Sequence, residues 1–199
     1  MSIMQTADRT DTRSTLSDIQ KRLRPKAVRA DAIVELDALF RGGTAPDPQP
    51  NGFLPGELVT MSLTRPTDAF VRWLTGLYMP WLGKKFDRDA NEGINILKPA
   101  ARSQLKVLWR SYEPKVAPDG NLEAFPFRTR IAPGAIDPNI DVLKIDYDFE
   151  ANPSFIIRHI LDELVQIDDG LYLGKILYRT RNSWHLIGFF SLRDTSSLA

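Results

Sequence analysis

The sequence predicts a mainly β protein: an antiparallel β-barrel of about eight strands, with N-terminal helices and an aromatic helix covering one end. Three apolar runs rich in Ile, Leu, Val, Tyr and Phe lie between Leu143 and Arg193, separated by short turn-forming breaks. Such runs are typical of antiparallel strands joined by hairpins. Further short strands precede them, and about eight strands with short turns favour an up-and-down barrel or a sandwich.

The composition sets the class of protein and excludes several kinds of chemistry. The 199 residues are enough for one well-packed domain. With 26 basic and 25 acidic residues the net charge is +1, so no overall field attracts nucleic acid or an acidic membrane. The absence of cysteine excludes disulfides, thiolate zinc sites and thiol catalysis, and fits a reducing cytoplasm. We expect no metal and no cofactor.

The chain is predicted to form an extension followed by one domain. Residues 1–28 are expected to be disordered or weakly helical, because the first part is polar and only Ser17 with Gln20 has the form of a capping box. Residues 29–199 are expected to form a single barrel domain. No run approaches the roughly 18 apolar residues of a membrane span, and no signal-peptide core is present, so we expect a cytoplasmic location.

Two helices are predicted before the main run of strands. The first covers 31–41, where apolar residues recur on one helical face and a pair of glycines follows. A Pro-rich connection leads to a strand over 56–63. The second helix starts at Pro66 and ends before Pro80, with large aromatic and apolar side chains at helical spacing. Its residues Trp73 and Tyr78, with the following Trp81, could stack on a ligand, although core packing is the favoured interpretation.

The remaining segments read mostly as short strands. A bend with two adjacent lysines, Lys84 and Lys85, is predicted after the aromatic helix, and the lysines are expected to be solvated. Strands are predicted over 94–97, 105–113, 123–131 and 142–149, and in the last three apolar runs. A small barrel with this number of strands has an interior wide enough for side chains alone or for one small ligand.

Several of these segments together resemble a family of uncharacterised bacterial proteins, the GXWXG-type proteins with a small C-terminal β domain. The resemblance is carried by LDALF at 36–40, GELVT at 56–60, WLGKKF at 81–86, DEL at 162–164 and FFSLR at 189–193. The GXWXG motif is degenerate, with Leu58 in place of tryptophan and Thr60 in place of the second glycine. The resemblance covers about residues 33–194 and implies a lipocalin-like (calycin-like) barrel, without an agreed activity.

Two adjacent carboxylates are the first candidates for chemistry. Asp162 and Glu163 lie in a predicted strand, so they point to opposite faces and only one can enter the interior. This spacing disfavours the carboxylate pair of a glycoside hydrolase. An inward acid needs a partner, and we expect one among Arg158, Lys175, Tyr172 and Tyr178. Such an acid could anchor a ligand or act as a general acid/base, although a purely structural role is favoured.

His185 is the second candidate. It lies in the final strand beside Trp184, where it could point into the barrel as a proton donor or a haem ligand. Its neighbours on both faces are equally apolar, so the sequence leaves its orientation open, and a solvent-facing histidine is the favoured alternative. The other histidine, His159, is the weaker candidate of the two.

These observations lead to three functional hypotheses. The first is binding of a small, largely apolar molecule (lipid-, terpenoid- or polyketide-like) inside the barrel. The second is a cofactor-independent isomerase, cyclase or lyase that uses a cavity carboxylate or histidine. The third is a structural protein whose barrel is filled by its own side chains. No nucleic-acid partner is expected, and a homodimer is left open. The predicted ligand contacts are Trp73, Tyr78, Trp81, Tyr172, Lys175 and Tyr178, and the predicted catalytic residues are Asp162, Glu163 and His185.

Overall fold

A computed structural model of the chain describes residues 4–23, 29–61, 80–181 and 183–195, with side chains from residue 12 onward. The helices are α1 (Met4–Arg22), α2 (Arg29–Arg41) and α3 (Ala101–Leu108), with a 3-10 turn at Ile157–His159. The strands are β1 (Gly52–Met61), β2 (Trp81–Asp87), β3 (Glu92–Leu97), β4 (Lys115–Val116), β5 (Leu122–Pro133), β6 (Asp141–Asp146), β7 (Ile160–Asp168), β8 (Leu171–Thr180) and β9 (Ser183–Arg193).

Eight of the strands form a closed antiparallel barrel, which confirms the predicted fold class. The sheet runs β3-β2-β1-β9-β8-β7-β6-β5, and a further pairing between β3 and β5 closes it. The short strand β4 pairs only with β5, among the pairings of the described strands. Closure leaves no unpaired edge in the barrel wall, so the inward side chains are enclosed on all sides.

The two ends of the barrel differ in their connections. At one end, short turns join β2 to β3, β5 to β6 and β7 to β8. We call this the turn end. At the other end, residues 98–121 carry α3 and β4 between β3 and β5, and residues 147–159 carry the 3-10 turn between β6 and β7. We call this the loop end. Because the loops are long only at the loop end, entry to the lumen is expected there.

Apolar side chains form two separate cores, one on each side of the barrel wall. The inner core fills the lumen and includes Leu54, Leu143, Leu164, Ile176 and Leu192. The outer core lies between the wall and the two N-terminal helices, and includes Leu16, Ile19, Leu36, Phe40, Val165 and Phe189. Alternation along the strands sends successive residues to the two cores. The wall is therefore buried on both faces wherever the helices cover it.

The sequence-based boundaries need two corrections. Residues 1–28 are predicted to be disordered or weakly helical, and in the structure Met4–Arg22 form α1, whose later turns place Leu16 and Ile19 in the outer core. Residues 105–113, predicted as a strand, contain the end of α3, because Ala101 and Leu105 are buried at helical spacing. Residues 81–86, predicted as a bend, are strand β2. The helix predicted over 31–41 is confirmed as α2. The predicted aromatic helix lies outside the described residues.

Candidate functional site

The lumen contains a buried ion pair that crosses the barrel. Lys84 projects inward from β2 and Asp162 from β7, and these two strands lie on opposite sides of the ring. The lysine Nζ is 2.9 Å from Asp162 Oδ2, and each side chain is 1% exposed. Removing two charges from water is costly, so such a pair persists only with excellent geometry and further hydrogen bonds.

Two further polar side chains complete the hydrogen bonding of this pair. Lys84 donates to Asn95 Oδ1 at 3.1 Å and to the Tyr147 hydroxyl. Tyr147 donates to Asp162 Oδ2 at 3.0 Å and accepts from Asn95 Nδ2 at 3.2 Å. The indole of Trp81 donates to Asn95 Oδ1 at 3.1 Å. The ammonium thus has three acceptors for its three protons, one on each of three neighbouring groups.

One atom of the network lacks a partner. Asp162 Oδ1 is buried and accepts no hydrogen bond from the described residues. Burial raises the pKa of Asp162 and lowers the pKa of Lys84, and their mutual attraction opposes both shifts. The two groups therefore depend on each other to stay charged. Ionisable groups perturbed by burial and one specific partner are typical of functional sites, although structural networks show them too.

Four aromatic rings surround the ammonium group of Lys84. Its Nζ lies 5.1 to 5.4 Å from the ring centroids of Trp81, Phe127, Tyr147 and Phe190. Tyr147 contacts the ammonium with its hydroxyl, whereas the other three rings lie at distances at which the negative face of an aromatic ring attracts a cation. The rings thus replace part of the hydration that the lysine loses on burial.

Glycines on the barrel wall make room for three of these rings. A Cβ atom at Gly56 would lie 2.3 Å from the Trp81 indole, one at Gly93 would lie 2.4 Å from the Phe127 ring, and one at Gly174 would lie 2.2 Å from the Phe190 ring. Any larger side chain at these positions would collide with a ring. The glycines are therefore structural parts of the aromatic cage around Lys84, which consists of Trp81, Phe127, Tyr147 and Phe190.

Two β-bulges aim the polar side chains. In β2 the register shifts between Trp81 and Gly83, so Trp81 and Lys84 both face the lumen although strict alternation would separate them. In β5, Phe125 has φ +53° and the register with β3 shifts near it. This turns the carbonyl of Phe125 toward Asn95 Nδ2, at 3.0 Å, and its N–H toward the Tyr112 hydroxyl, at 2.6 Å. The bulge therefore fixes the orientation of the Asn95 amide.

A small cavity adjoins this network near the loop end. Its lining residues are Trp81, Asn95, Leu97, Phe125, Tyr147, Ile157 and Ile160. The cavity has a volume of about 30 Å³, which holds one or two water molecules. Together with its open mouth the atom-free space is about 360 Å³. Apart from Asn95, Tyr147 and the indole N–H, the lining is apolar.

The two adjacent carboxylates are separated by the barrel wall, as the alternation predicted. Asp162 faces the lumen, but its partners are Lys84 and Tyr147 and not the four residues that the sequence suggested. Glu163 faces outward, where it accepts from the backbone N–H of Ala135 at 2.7 Å and lies 3.5 Å from Lys144. Glu163 is therefore excluded from the lumen, which corrects its placement among the cavity residues.

Two other predicted cavity residues also lie outside the lumen. Lys175 is buried beneath α2 and pairs with Asp37 and Asp137, because alternation along β8 places its side chain on the outer face of the barrel. His185 is exposed on β9 and contacts Thr180 Oγ1 at 2.6 Å. Neither side chain reaches the cavity.

The predicted aromatic contacts have different outcomes. Trp81 lines the cavity and belongs to the cage. Tyr172 is a buried member of the inner core, and Tyr178 packs against that core from the loop end with its ring 5.9 Å from His159. Burial raises the pKa of both tyrosines. Trp73 and Tyr78 lie outside the described residues.

Three site residues were missed by the sequence reasoning. Tyr147 lies two and four residues after the apolar Ile145 and Leu143, so the alternation of the predicted strand could have placed all three side chains inside the barrel. Asn95 is a polar residue within the apolar run INIL, which is a weaker signal. Lys84 was missed because residues 81–86 were interpreted as a bend, whereas in a strand alternation places Lys84 on the face of Phe86 and opposite the exposed Lys85.

The fold and the site together define a closed antiparallel β-barrel that is compatible with ligand binding. No family model and no curated protein matches this sequence. Among solved structures, the crystal structure of a protein from Thermomonospora curvata is similar, with a TM-score of 0.48 and 16% identity, covering 88% of this chain and 97% of that one. The relation to GXWXG-type proteins stays a prediction.

No three His, Asp or Glu side chains of the described ranges converge in a way that could hold a metal ion. None of the helices in the described part of the chain is both long and apolar enough to cross a membrane.

Proposed function

We propose that the barrel binds a small, largely apolar molecule at the cavity of the loop end. The observation that carries this proposal is a cavity whose wall is apolar except where Asn95 and Tyr147 expose one edge of a buried charge network. Ligand pockets commonly combine an apolar lining with a few fixed polar groups. Because the cavity is small, the ligand would place one polar end in it and extend its apolar part through the opening of the cavity.

The charge of the network indicates the class of ligand. Lys84 is already neutralised by Asp162 at 2.9 Å, so the lumen as a whole carries no excess charge. A carboxylate or an ammonium brought next to it would be buried without a counter-ion, which is costly. A neutral oxygen, in a hydroxyl or carbonyl group, needs no counter-ion, and it could replace one of the hydrogen bonds that Asn95 and Tyr147 make within the network. We therefore propose a neutral, oxygen-containing lipid-, terpenoid- or polyketide-like ligand.

The proposal is tested with three molecules of the same chain length: octanol, octanoate and octylammonium. Calorimetric titration of the full chain should give saturable binding of octanol at one site. The two charged molecules should bind at least about tenfold more weakly, since each buries an unpaired charge. Native mass spectrometry of protein purified from its own cells would then search for a neutral co-purifying molecule.

A pair of tryptophan variants locates the binding site. Ile157→Trp adds bulk to a cavity-lining residue in the 3-10 turn, and should abolish octanol binding. The matched control Ile131→Trp adds the same bulk at a side chain of β5 that is 44% exposed, and should leave binding unchanged. Circular dichroism checks that both variants fold. Equal loss in both variants, or no saturable binding by the unaltered protein, would refute the proposal.

A second candidate function is proton transfer without a cofactor, as in an isomerase or cyclase. The observation that favours it is that the Tyr147 phenol lines the cavity and also contacts Lys84 and Asp162. A neighbouring ammonium makes a phenol a better proton donor, and the carboxylate could receive a proton in return. In this reading Asp162 would be the base and Tyr147 the acid, whereas His185 and Glu163 would have no part.

This candidate is separated from simple binding by deuterium exchange. A ketone that occupies the cavity would exchange its α-hydrogens with D2O in the presence of the enzyme, as followed by NMR. Tyr147→Phe would abolish the exchange while weakening binding only modestly. If bound ketones do not exchange with the unaltered protein, the binding function stands alone.

A further inference from the structure

The charges of the chain are separated between the two ends of the barrel, although the whole chain is nearly neutral. At the loop end, the segment 98–121 contains five basic and two acidic residues, and the segment 147–159 contains one basic and two acidic residues, so together they carry a net charge of +2. At the turn end, the three turns with the strand residues next to them, 87–92, 134–141 and 168–170, contain seven acidic residues and one basic residue, a net charge of −6. The net charge of +1 therefore conceals a basic end and an acidic end.

Arg158, at the loop end, pairs with Asp148, but the five basic residues of the segment 98–121 have no ion partner among the described residues. These residues are Lys98, Arg102, Lys106, Arg110 and Lys115, all of them exposed. In α3 the buried positions are Ala101 and Leu105, whereas Arg102 and Lys106, one turn apart, are exposed beside them. This leaves a stripe of positive charge that faces away from the barrel.

Large apolar side chains are exposed next to this basic stripe. Val107 of α3 is 82% exposed, Val116 of β4 is 55% exposed, and Phe155, just before the 3-10 turn, is 73% exposed. The segments that carry them flank the cavity, since Trp109 packs on Phe125 and Ile157 lines the opening. Isolated apolar side chains on a surface are ordinary. Here three of them lie at the same end of the barrel as five basic residues that have no ion partner among the described residues.

We propose that the loop end docks on an anionic lipid surface. Basic residues near such a surface are attracted to its negative potential, and neighbouring apolar side chains can enter the boundary between headgroups and acyl chains. The acidic turn end would face away, so the charge separation also orients the molecule. This places the mouth of the cavity toward the bilayer. The proposal does not depend on the proposed ligand, because docking can be measured without one.

A lipid surface fits these residues better than a nucleic acid does. Binding of single-stranded nucleic acid relies on several aromatic rings that stack on bases along a basic groove. At the loop end the exposed apolar residues of the described chain are two valines and one phenylalanine. Valine has no ring to stack, whereas it does partition into a lipid interface.

The first experiment measures co-sedimentation of the full chain with lipid vesicles at low salt. Phosphatidylcholine vesicles that contain phosphatidylserine should bind the protein at least about tenfold more tightly than vesicles of phosphatidylcholine alone, and added salt should reduce the difference. Equal binding to both kinds of vesicle, or to neither, would overturn the proposal. Retention on a polyanion such as heparin without binding to vesicles would overturn it in favour of a polyanionic macromolecule.

Two charge-reversal variants test the location of the docking face. Lys106→Glu with Arg110→Glu removes charge from the loop end, and should weaken binding to the anionic vesicles at least about tenfold. Arg88→Glu with Arg193→Glu makes the same change in net charge at the turn end, and should leave binding within about twofold. Equal losses in the two variants would mean that only net charge matters, which contradicts a defined docking face.

A second measurement reports the apolar contact directly. Phe155→Trp places an indole at the loop end, and Phe53→Trp places one near the turn end, where the native phenylalanine is 47% exposed. Vesicles with brominated acyl chains should quench the additional fluorescence of the Phe155→Trp variant and not that of the Phe53→Trp variant. Quenching of both or of neither would refute insertion of the loop end. Failure of this test leaves octanol binding unaffected, so the two proposals can fail separately.

Discussion

The described part of the chain contains two fully buried lysines, Lys84 and Lys175, one on each side of the barrel wall, and they are held in different ways. Inside, Lys84 bonds to Asn95, Tyr147 and Asp162, all of which project from strands of the wall or directly follow one. Outside, Lys175 pairs with carboxylates of α2 and of the turn between β5 and β6. The inner lysine therefore fixes the lumen, whereas the outer lysine connects the barrel to its helical layer.

Solvent access to the partners makes the larger difference between the two sites. Asp162 is 1% exposed, and four aromatic rings separate its lysine from water. The partners of Lys175, Asp37 and Asp137, are 22% and 12% exposed, and a single ring, that of Phe40, lies over the lysine at 4.4 Å. If its lysine is removed, the carboxylate of Asp162 in the lumen is therefore cut off from water, whereas the carboxylates of Asp37 and Asp137 can be hydrated. The inner pair should be the more costly one to break.

The largest effect is expected from Lys84→Met. The substitution leaves the Asp162 carboxylate buried without its cation, and breaking a buried pair in this way costs about 3–5 kcal/mol. The free energy of unfolding, measured by urea titration, should fall by that amount. The double variant Lys84→Met with Asp162→Leu should recover much of the loss, because no unpaired charge is left.

The neighbour Lys85 supplies the matched control for this substitution. Its side chain is 56% exposed and pairs with Glu123 at the surface. Lys85→Met should change the free energy of unfolding by less than about 0.5 kcal/mol. Equal effects of the two substitutions would contradict the buried pair.

The next largest effect on stability is expected at the glycines that make room for the rings of the aromatic cage. Gly174→Ala places a Cβ 2.2 Å from the ring of Phe190, which has to move toward Lys84. Overpacking of this kind costs about 1–3 kcal/mol. Gly42→Ala is the control, because its Cβ would lie 3.6 Å from the nearest atoms at the end of α2. Thermal unfolding should separate the two variants, and equal midpoints would show that the cage tolerates the extra methyl group.

Much of the fold could be predicted from the sequence, for physical reasons. The run of β7, β8 and β9 alternates short apolar segments with turn residues, so these strands and the antiparallel barrel were predictable. The predicted number of strands was right partly because two errors cancelled. The predicted strand at 105–113 contains the end of α3, and strand β2 was not predicted. A short apolar run does not by itself distinguish a buried helix from a strand.

The site was less predictable, because it depends on irregularities that sequence patterns do not reveal. The opposite orientation of Asp162 and Glu163 followed from alternation alone. The bulge in β2 brings Trp81 to the same face as Lys84, and the partner of Lys84, Asp162, is 78 residues away along the chain. A local pattern cannot pair residues at that separation, so the sequence reasoning offered Lys175 as a partner instead.

Breaking the outer site should have a smaller effect than breaking the inner one. Lys175→Met removes the cation shared by Asp37 and Asp137, but water can reach both carboxylates. We expect a loss of about 1–2 kcal/mol, below that of a fully buried pair. Hydrogen exchange should show faster exchange in α2 than in β7. A loss as large as that of Lys84→Met, or unchanged exchange in α2, would contradict the role of Lys175 as a connection between layers.

The smallest effect should come from the outward carboxylate next to Asp162. Burial raises the pKa of Glu163 above its ordinary value of 4.5, against the opposing effects of the Ala135 N–H and Lys144. Because the pKa is raised, the protonated carboxyl of Glu163 makes its full favourable contribution to the free energy of unfolding below about pH 4.5. This contribution is lost as the pH rises through the folded-state pKa. At pH 7 the ionised group therefore destabilises the fold. Glu163→Gln should raise the free energy of unfolding there by less than about 1 kcal/mol, since the amide oxygen still accepts from Ala135.

The pH dependence distinguishes this charge effect from a general change in packing. The advantage of Glu163→Gln over the unaltered protein should shrink as the pH falls toward 4.5, where the wild-type carboxyl is itself protonated. Asp162 also has a raised pKa and is present in both proteins, so its own contribution cancels in the comparison. An advantage that is independent of pH would assign the effect to packing, and a loss of stability at pH 7 would mean that the pairing of Glu163 with Lys144 outweighs its burial.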